Sequence, residues 1–171
     1  MALINITLPD GTVNEYAAGI TCAEVITDAL GKKHGCVAAK VDGAERDMSH
    51  PLTEACSVEG ISADTEEGMH ILRHSAAHLL AQAVMALYPG ALPTIGPAID
   101  RGFYYDFAMD PIAETDLKAI EKKMHELARK NLTVERVELD QESLREHFEH
   151  NPYKVEIIDD KLEAGDGSTK P

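Results

Sequence analysis

From His70 to Leu87 the chain reads HILRHSAAHLLAQAVMAL, with the acidic stretch Asp64 to Gly68 before it and Pro89-Gly90 after it. Leu72, Ala76, Leu79, Ala83 and Leu87, with Leu80 and Val84, recur at three- and four-residue spacing, which predicts an amphipathic helix docked on a core. His74 and His78 are four residues apart on that helix. At about 3.6 residues per turn their rings share one face and can share a ligand. Spacing alone favours the ordinary reading of such a pair, a solvated boundary of the helix. Ser75 follows His74 where a zinc protease of the H-E-x-x-H type carries its general base, so that reaction class is set aside.

Before this helix the pattern is mostly of period two. Ile4, Ile6 and Leu8 alternate with Asn5 and Thr7, Pro9-Asp10-Gly11 supplies a turn, and Thr12 to Tyr16 forms the return strand. Thr21-Cys22-Ala23-Glu24 has the form of a capping box, and Cys22, Val25, Ile26, Ala29 and Leu30 then fall on one helical face up to Gly31. Val37, Ala39 and Val41 lead to a turn at Asp42-Gly43, and Val58 to Ile61 closes the sheet. Two strands, a helix and further strands predict a small α+β module with one helix across a mixed sheet. Its loop histidines, His34 and His50, read as solvated surface.

After the histidine helix, breakers at Gly96-Pro97 and Asp100-Arg101-Gly102 bracket two extended segments, Thr94 to Ile99 and Phe103 to Phe107, which predict a hairpin. Glu114 to Lys130 is a second helix with Leu117, Ile120, Met124 and Leu127 on one face. His125 lies on its charged side. Leu132 to Leu139 alternates as a strand, Gln141 to His150 is a short helix halted before Pro152, and Tyr153 to Ile158 reads as a last strand. The boundaries implied are residues 1–63, 64–160 and a polar, disordered tail at 161–171.

Charge narrows the functions. The chain has 171 residues, 30 acidic and 16 basic, for a formal net charge of -14. That balance opposes indiscriminate binding to DNA or to an anionic membrane. No apolar run approaches a membrane span, and Met1 to Asn5 lacks a secretory signal, which points to the cytoplasm. Cys22, Cys36 and Cys56 fit neither a disulfide framework nor a metal knuckle and read as small core residues. Tryptophan is absent and aromatics make up 5%, so a stacking platform for single-stranded nucleic acid is poorly supported.

LPDG near the start, DTEEGMHILRHSAAHLL, IGPAIDRGFYYDF, EKKMHELARKN and NPYKVEII occur in one order. Together they resemble the N-terminal part of the threonyl-tRNA synthetase family. The resemblance implies a ubiquitin-like (β-grasp) TGS domain over residues 1–63 and the start of a tRNA editing domain over 64–160, α+β throughout. It implies a complete enzyme that joins threonine to its tRNA with ATP, magnesium and zinc, as a homodimer, from a core further along. This chain alone is then expected to be a monomer without a cofactor, with tRNA(Thr) and its aminoacylated 3′ end as partner. His74, His78, Tyr105 and Lys154 match the family's editing pocket, and the resemblance implies that the histidines orient water or ribose, Tyr105 donates a hydrogen bond and Lys154 holds the amino acid or steadies negative charge. Asp106 is as apt to tie down the hairpin as to act.

In that family, and in the similar editing domain of alanyl-tRNA synthetase, a later C-x-x-x-H segment completes the histidine pair, whereas no cysteine follows Cys56 here. His74 and His78 are thus two zinc ligands of the three that a catalytic zinc takes from protein. Three functions remain open: the recognition and proofreading part of threonine–tRNA ligase, a free-standing deacylase of mischarged tRNA, and a non-enzymatic TGS module that binds RNA or protein.

Overall fold

A computed structural model describes residues 2–130, 132, 134 and 137–163. They form two compact units that meet in sequence between Arg73 and His74. That junction is later than the expected residue 63, because it lies inside a continuous helix.

The first unit carries β1 (Leu3–Thr7), β2 (Val13–Ala17), β3 (Ile20–Thr21), α1 (Cys22–Leu30), β4 (Cys36–Val41), β5 (Ala44–Arg46), β6 (Pro51–Leu52) and β7 (Cys56–Ser62). The main sheet runs β2-β1-β7-β4-β5. β1 and β7 pair in parallel, and the other neighbours are antiparallel. Ile4 and Ile6, on one face of β1, close over Cys22, Val25 and Ile26 of α1, with Ala39, Leu52 and Val58 completing the core. This is the α+β module that the alternation predicts.

The local signals act as expected. Thr21 and Glu24 form the reciprocal capping box at the start of α1. Asp42 (φ 49) and Gly43 (φ 80) both take the left-handed conformation that a two-residue hairpin between β4 and β5 demands. His34 differs from expectation: its Nδ1 accepts the Cys36 backbone N–H at 2.9 Å, so it staples the entry to β4. Burial raises the pKa of Cys22, Cys36 and Cys56, which suits inert core thiols.

α2 (Glu66–Leu87) is 22 residues long. The acidic stretch Asp64 to Gly68 is tied into the fold. The Thr65 hydroxyl accepts from Gly68 N at 3.0 Å, capping the helix, and Lys40 pairs with Glu67 at 2.6 Å. A Cβ on Gly68 would lie 1.9 Å from the Ser62 carbonyl oxygen, so the helix start approaches β7 as only glycine permits.

The second unit continues α2 from His74 and adds β8 (Leu92–Pro93), β9 (Ala98–Ile99), β10 (Gly102–Phe103), β11 (Phe107–Ala108), α3 (Glu114–Arg129), α4 (Gln141–His147) and α5 (Pro152–Glu163). β8 pairs with β11 and β9 with β10, and Asp106 N donates to Ile95 O between them, making one interrupted hairpin as expected. Ala83, Val84, Ala91 and Ile120 form the core, with Leu80, Phe107, Met124 and Leu127 packed on it. Leu72 and Leu87 of the expected stripe are exposed, as is Leu117 of α3. Small alanines, Ala77, Ala81 and Ala83, together with Val84, are buried along α2.

Two expectations change. Tyr153 to Ile158 belongs to α5, not to a strand. The Asn151 side chain accepts from Lys154 N at 3.3 Å and Pro152 takes the first helical position, where its missing N–H costs nothing. Lys161 to Glu163, assigned above to the tail, extend that helix; residues 164–171 lie outside those described. The expected strand Leu132 to Leu139 falls partly outside them too, and its described members carry no strand.

Candidate functional site

The floor of the site is one face of α2. His74 and His78 are stacked edge to face with ring centroids 4.6 Å apart, and their Nε2 atoms are separated by 3.0 Å. At that distance one Nε2–H donates to the other Nε2. The donor ring is then left with a free lone pair on Nδ1, and the acceptor ring with a proton there. Two protonated rings so close would repel.

The hairpin makes one wall. Tyr105 and Phe107 alternate onto one side of their strand and stack at 4.9 Å, while Tyr104 is turned out to solvent. A Cβ on Gly96 would sit 2.1 Å from the Tyr105 ring, so the opposite strand lies flat beneath the phenol. Helices α4 and α5 make the other wall. Arg145 of α4 pairs with Asp159 of α5 at 2.7 Å and joins the two.

One cavity of about 210 Å³ lies between these walls. Its lining contains all four residues expected from the sequence, His74, His78, Tyr105 and Lys154. Thr94, Ile95, Gly96 and Pro97 of the hairpin, Leu144 and Phe148 near α4, and Ile157, Ile158 and Lys161 of α5 complete it. Asp106 is not among the lining residues; its backbone bonds Thr94 and Ile95 across the hairpin. Ser75 is exposed and outside the lining.

Sequence reasoning missed the α4 and hairpin contributions, and it missed Lys161 and Asn151. Asn151 is 2% exposed and binds both walls: its Nδ2 donates to Pro93 O at 2.8 Å while its Oδ1 caps α5. The Asn-Pro pair at 151–152 was the available signal for that helix start.

The electrostatics follow from the lining. His78 keeps part of its ring in solvent, but enclosure by the walls holds its pKa below 6.5, assisted by the charges of His74 and Lys154. Burial, and then the charge of Lys161, lowers the Lys154 amine from its usual value. Burial raises Tyr105, so its hydroxyl keeps the proton and remains a donor. The site therefore offers a neutral imidazole, a hydroxyl donor and cationic amines.

A zinc ion fits this set poorly. The histidines supply two ligands that already bond each other, the nearest other polar groups include two amines, and no cluster of three His, Cys, Asp or Glu side chains occurs among the described residues. Among them, too, no helix is long and apolar enough to cross a membrane.

Residues 4–61 match the TGS domain family. Along nearly its whole length the chain is similar to threonine–tRNA ligases. It is 44% identical over 92% of its residues to that of Chlorobaculum tepidum, 42% over 92% to that of Desulforamulus reducens, and 40% over 98% to that of Streptococcus pneumoniae. It spans about a quarter of the length of these relatives, 25%, 26% and 26% respectively.

Proposed function

We propose that this chain, similar to the N-terminal quarter of threonine–tRNA ligases, forms the tRNA-facing proofreading portion of such an enzyme. Its cavity receives the aminoacylated 3′ end of tRNA(Thr) and removes serine attached in error. The first unit serves as an accessory recognition module, and threonine attachment with ATP belongs to other parts of the longer protein. The observation that carries this reading is the convergence of His74, His78, Tyr105 and Lys154 on one small cavity from three separated stretches of chain.

The need for a second site follows from magnitudes. Serine lacks one methyl of threonine, and a pocket gains only about 1–3 kcal/mol from a group of that size. A synthetic site therefore admits serine often enough to require hydrolysis afterwards. Water adds to the ester carbonyl carbon and gives up a proton to the imidazole pair, in which the depressed pKa of His78 favours the neutral ring that a general base needs. Lys154 and the Tyr105 hydroxyl face the charge that develops on the carbonyl oxygen. The carbon–oxygen bond to ribose then breaks, the proton passes to the ribose oxygen, and free serine leaves.

Single-turnover hydrolysis of seryl-tRNA(Thr) by this chain tests the chemistry. A rate above that of free ester, returned to the uncatalysed value by the double substitution His74→Ala, His78→Ala, is the expected result. Equal rates for the two chains would refute the catalytic role.

A further inference from the structure

We propose that Lys161, on the cavity face of α5, binds a backbone phosphate of an RNA 3′ end, so that Lys154 and Lys161 hold one substrate at two points. This rests on the reading of the cavity as a tRNA site and adds a specific contact to it.

Four residues of α5 line the cavity, Lys154, Ile157, Ile158 and Lys161. Their spacing of three, four and seven places them on one helical face, with an amine at each end and an apolar strip between. Seven residues advance the helix by about 10 Å, so the amines address different parts of a bound molecule. Lys154 is the one beside the imidazole pair, since its charge acts on His78. Lys161 is a lining residue about two helical turns further along α5, which leaves it to meet a part of the bound molecule other than the ester.

Charge makes the placement informative. The chain as a whole has 30 acidic and 16 basic side chains. The cavity lining nevertheless holds two lysines, two histidines and no carboxylate. Neither lysine is ion-paired among the described residues, while the adjacent Arg145 and Asp159 neutralise each other at 2.7 Å. Against a net charge of -14, a polyanion is repelled everywhere except where local charge is positive. The lining is such a place. Its apolar strip accommodates sugar and base between two amines that suit anions, and an ammonium compound would find no counter-charge.

The test is binding of a single-stranded RNA ending in cytidine-cytidine-adenosine to the full chain over a range of salt concentrations. Each phosphate contact in a single strand adds about 0.7 to the slope of log affinity against log salt. Lys161→Ala is expected to lower that slope by about 0.7, Lys161→Arg to restore it, and a methylphosphonate at the last linkage to erase the difference between wild type and Lys161→Ala. Alanine favours helix, so α5 is retained. Equal slopes, a difference that survives the neutral linkage, or no binding by the wild-type chain would overturn the proposal. A slope change without ester hydrolysis would leave the phosphate contact standing and remove the catalytic reading; hydrolysis with unchanged slopes would do the reverse.

Discussion

At the scale of the residue, the site depends on close approaches that only certain side chains allow. Gly96 lies under the Tyr105 ring, and Gly96→Ala would place a methyl carbon within 2.1 Å of it. The phenol must then swing away, so ester hydrolysis should fall several-fold while stability drops by about 1–3 kcal/mol, read by urea unfolding beside the rate. His78 gives a pH signature. Its folded pKa is depressed below 6.5, so the unfolded chain binds more protons as pH falls through that value. Stability contributed by neutral His78 is intact above about pH 6.5 and is lost on acidification towards its folded pKa, and a His78→Asn variant should lose that part of the slope. The sequence made the four residues legible only through the family motifs. Spacing favoured a solvated pair of histidines and ordinary strand positions for Tyr105 and Lys154, because which residues meet is settled by long-range packing.

At the scale of the element, local chemistry was legible where it is self-contained. Thr21 and Glu24 cap α1 with contacts three residues apart, and Thr21→Ala should cost about 1 kcal/mol in thermal or urea unfolding. α5 shows where reading failed. Tyr153, Val155 and Ile157 alternate like a strand, but the helical set Lys154, Ile157, Ile158 and Lys161 faces the cavity. Asn151 decides between the two by capping the helix and bonding Pro93 O across the site. Asn151→Ala removes the bond to the half-buried Pro93 carbonyl together with the helix cap and should cost about 1–3 kcal/mol, with Asn151→Ser recovering the cap but not the bridge. In the acidic stretch Asp64 to Gly68, the Thr65 cap, the Lys40–Glu67 pair and the contact of Gly68 with Ser62 bind the start of α2 in place. Limited proteolysis should therefore leave Glu66 to Gly68 intact; cleavage there would contradict the capped helix.

At the scale of the whole molecule, a chain of net charge -14 contains a cavity lined by two lysines and two histidines and by no carboxylate. The α+β class of the first unit follows from alternation and turns, which are local, whereas its β-grasp order was implied only by the family resemblance. The second unit was less legible, since its small alanine-faced helix and short strands gain meaning only when α3, α4 and α5 close around them. The claim joining these scales is that the aminoacyl end of a tRNA sits between α2, the hairpin and α5. Titration with a stable seryl-adenosine analogue, an amide replacing the ester at the 3′ position, observed at the histidine ring signals by NMR, tests it most directly. The His74 and His78 signals should shift together and saturate while those of His34 and His125 stay in place; unchanged His74 and His78 rings at saturating analogue would contradict the account.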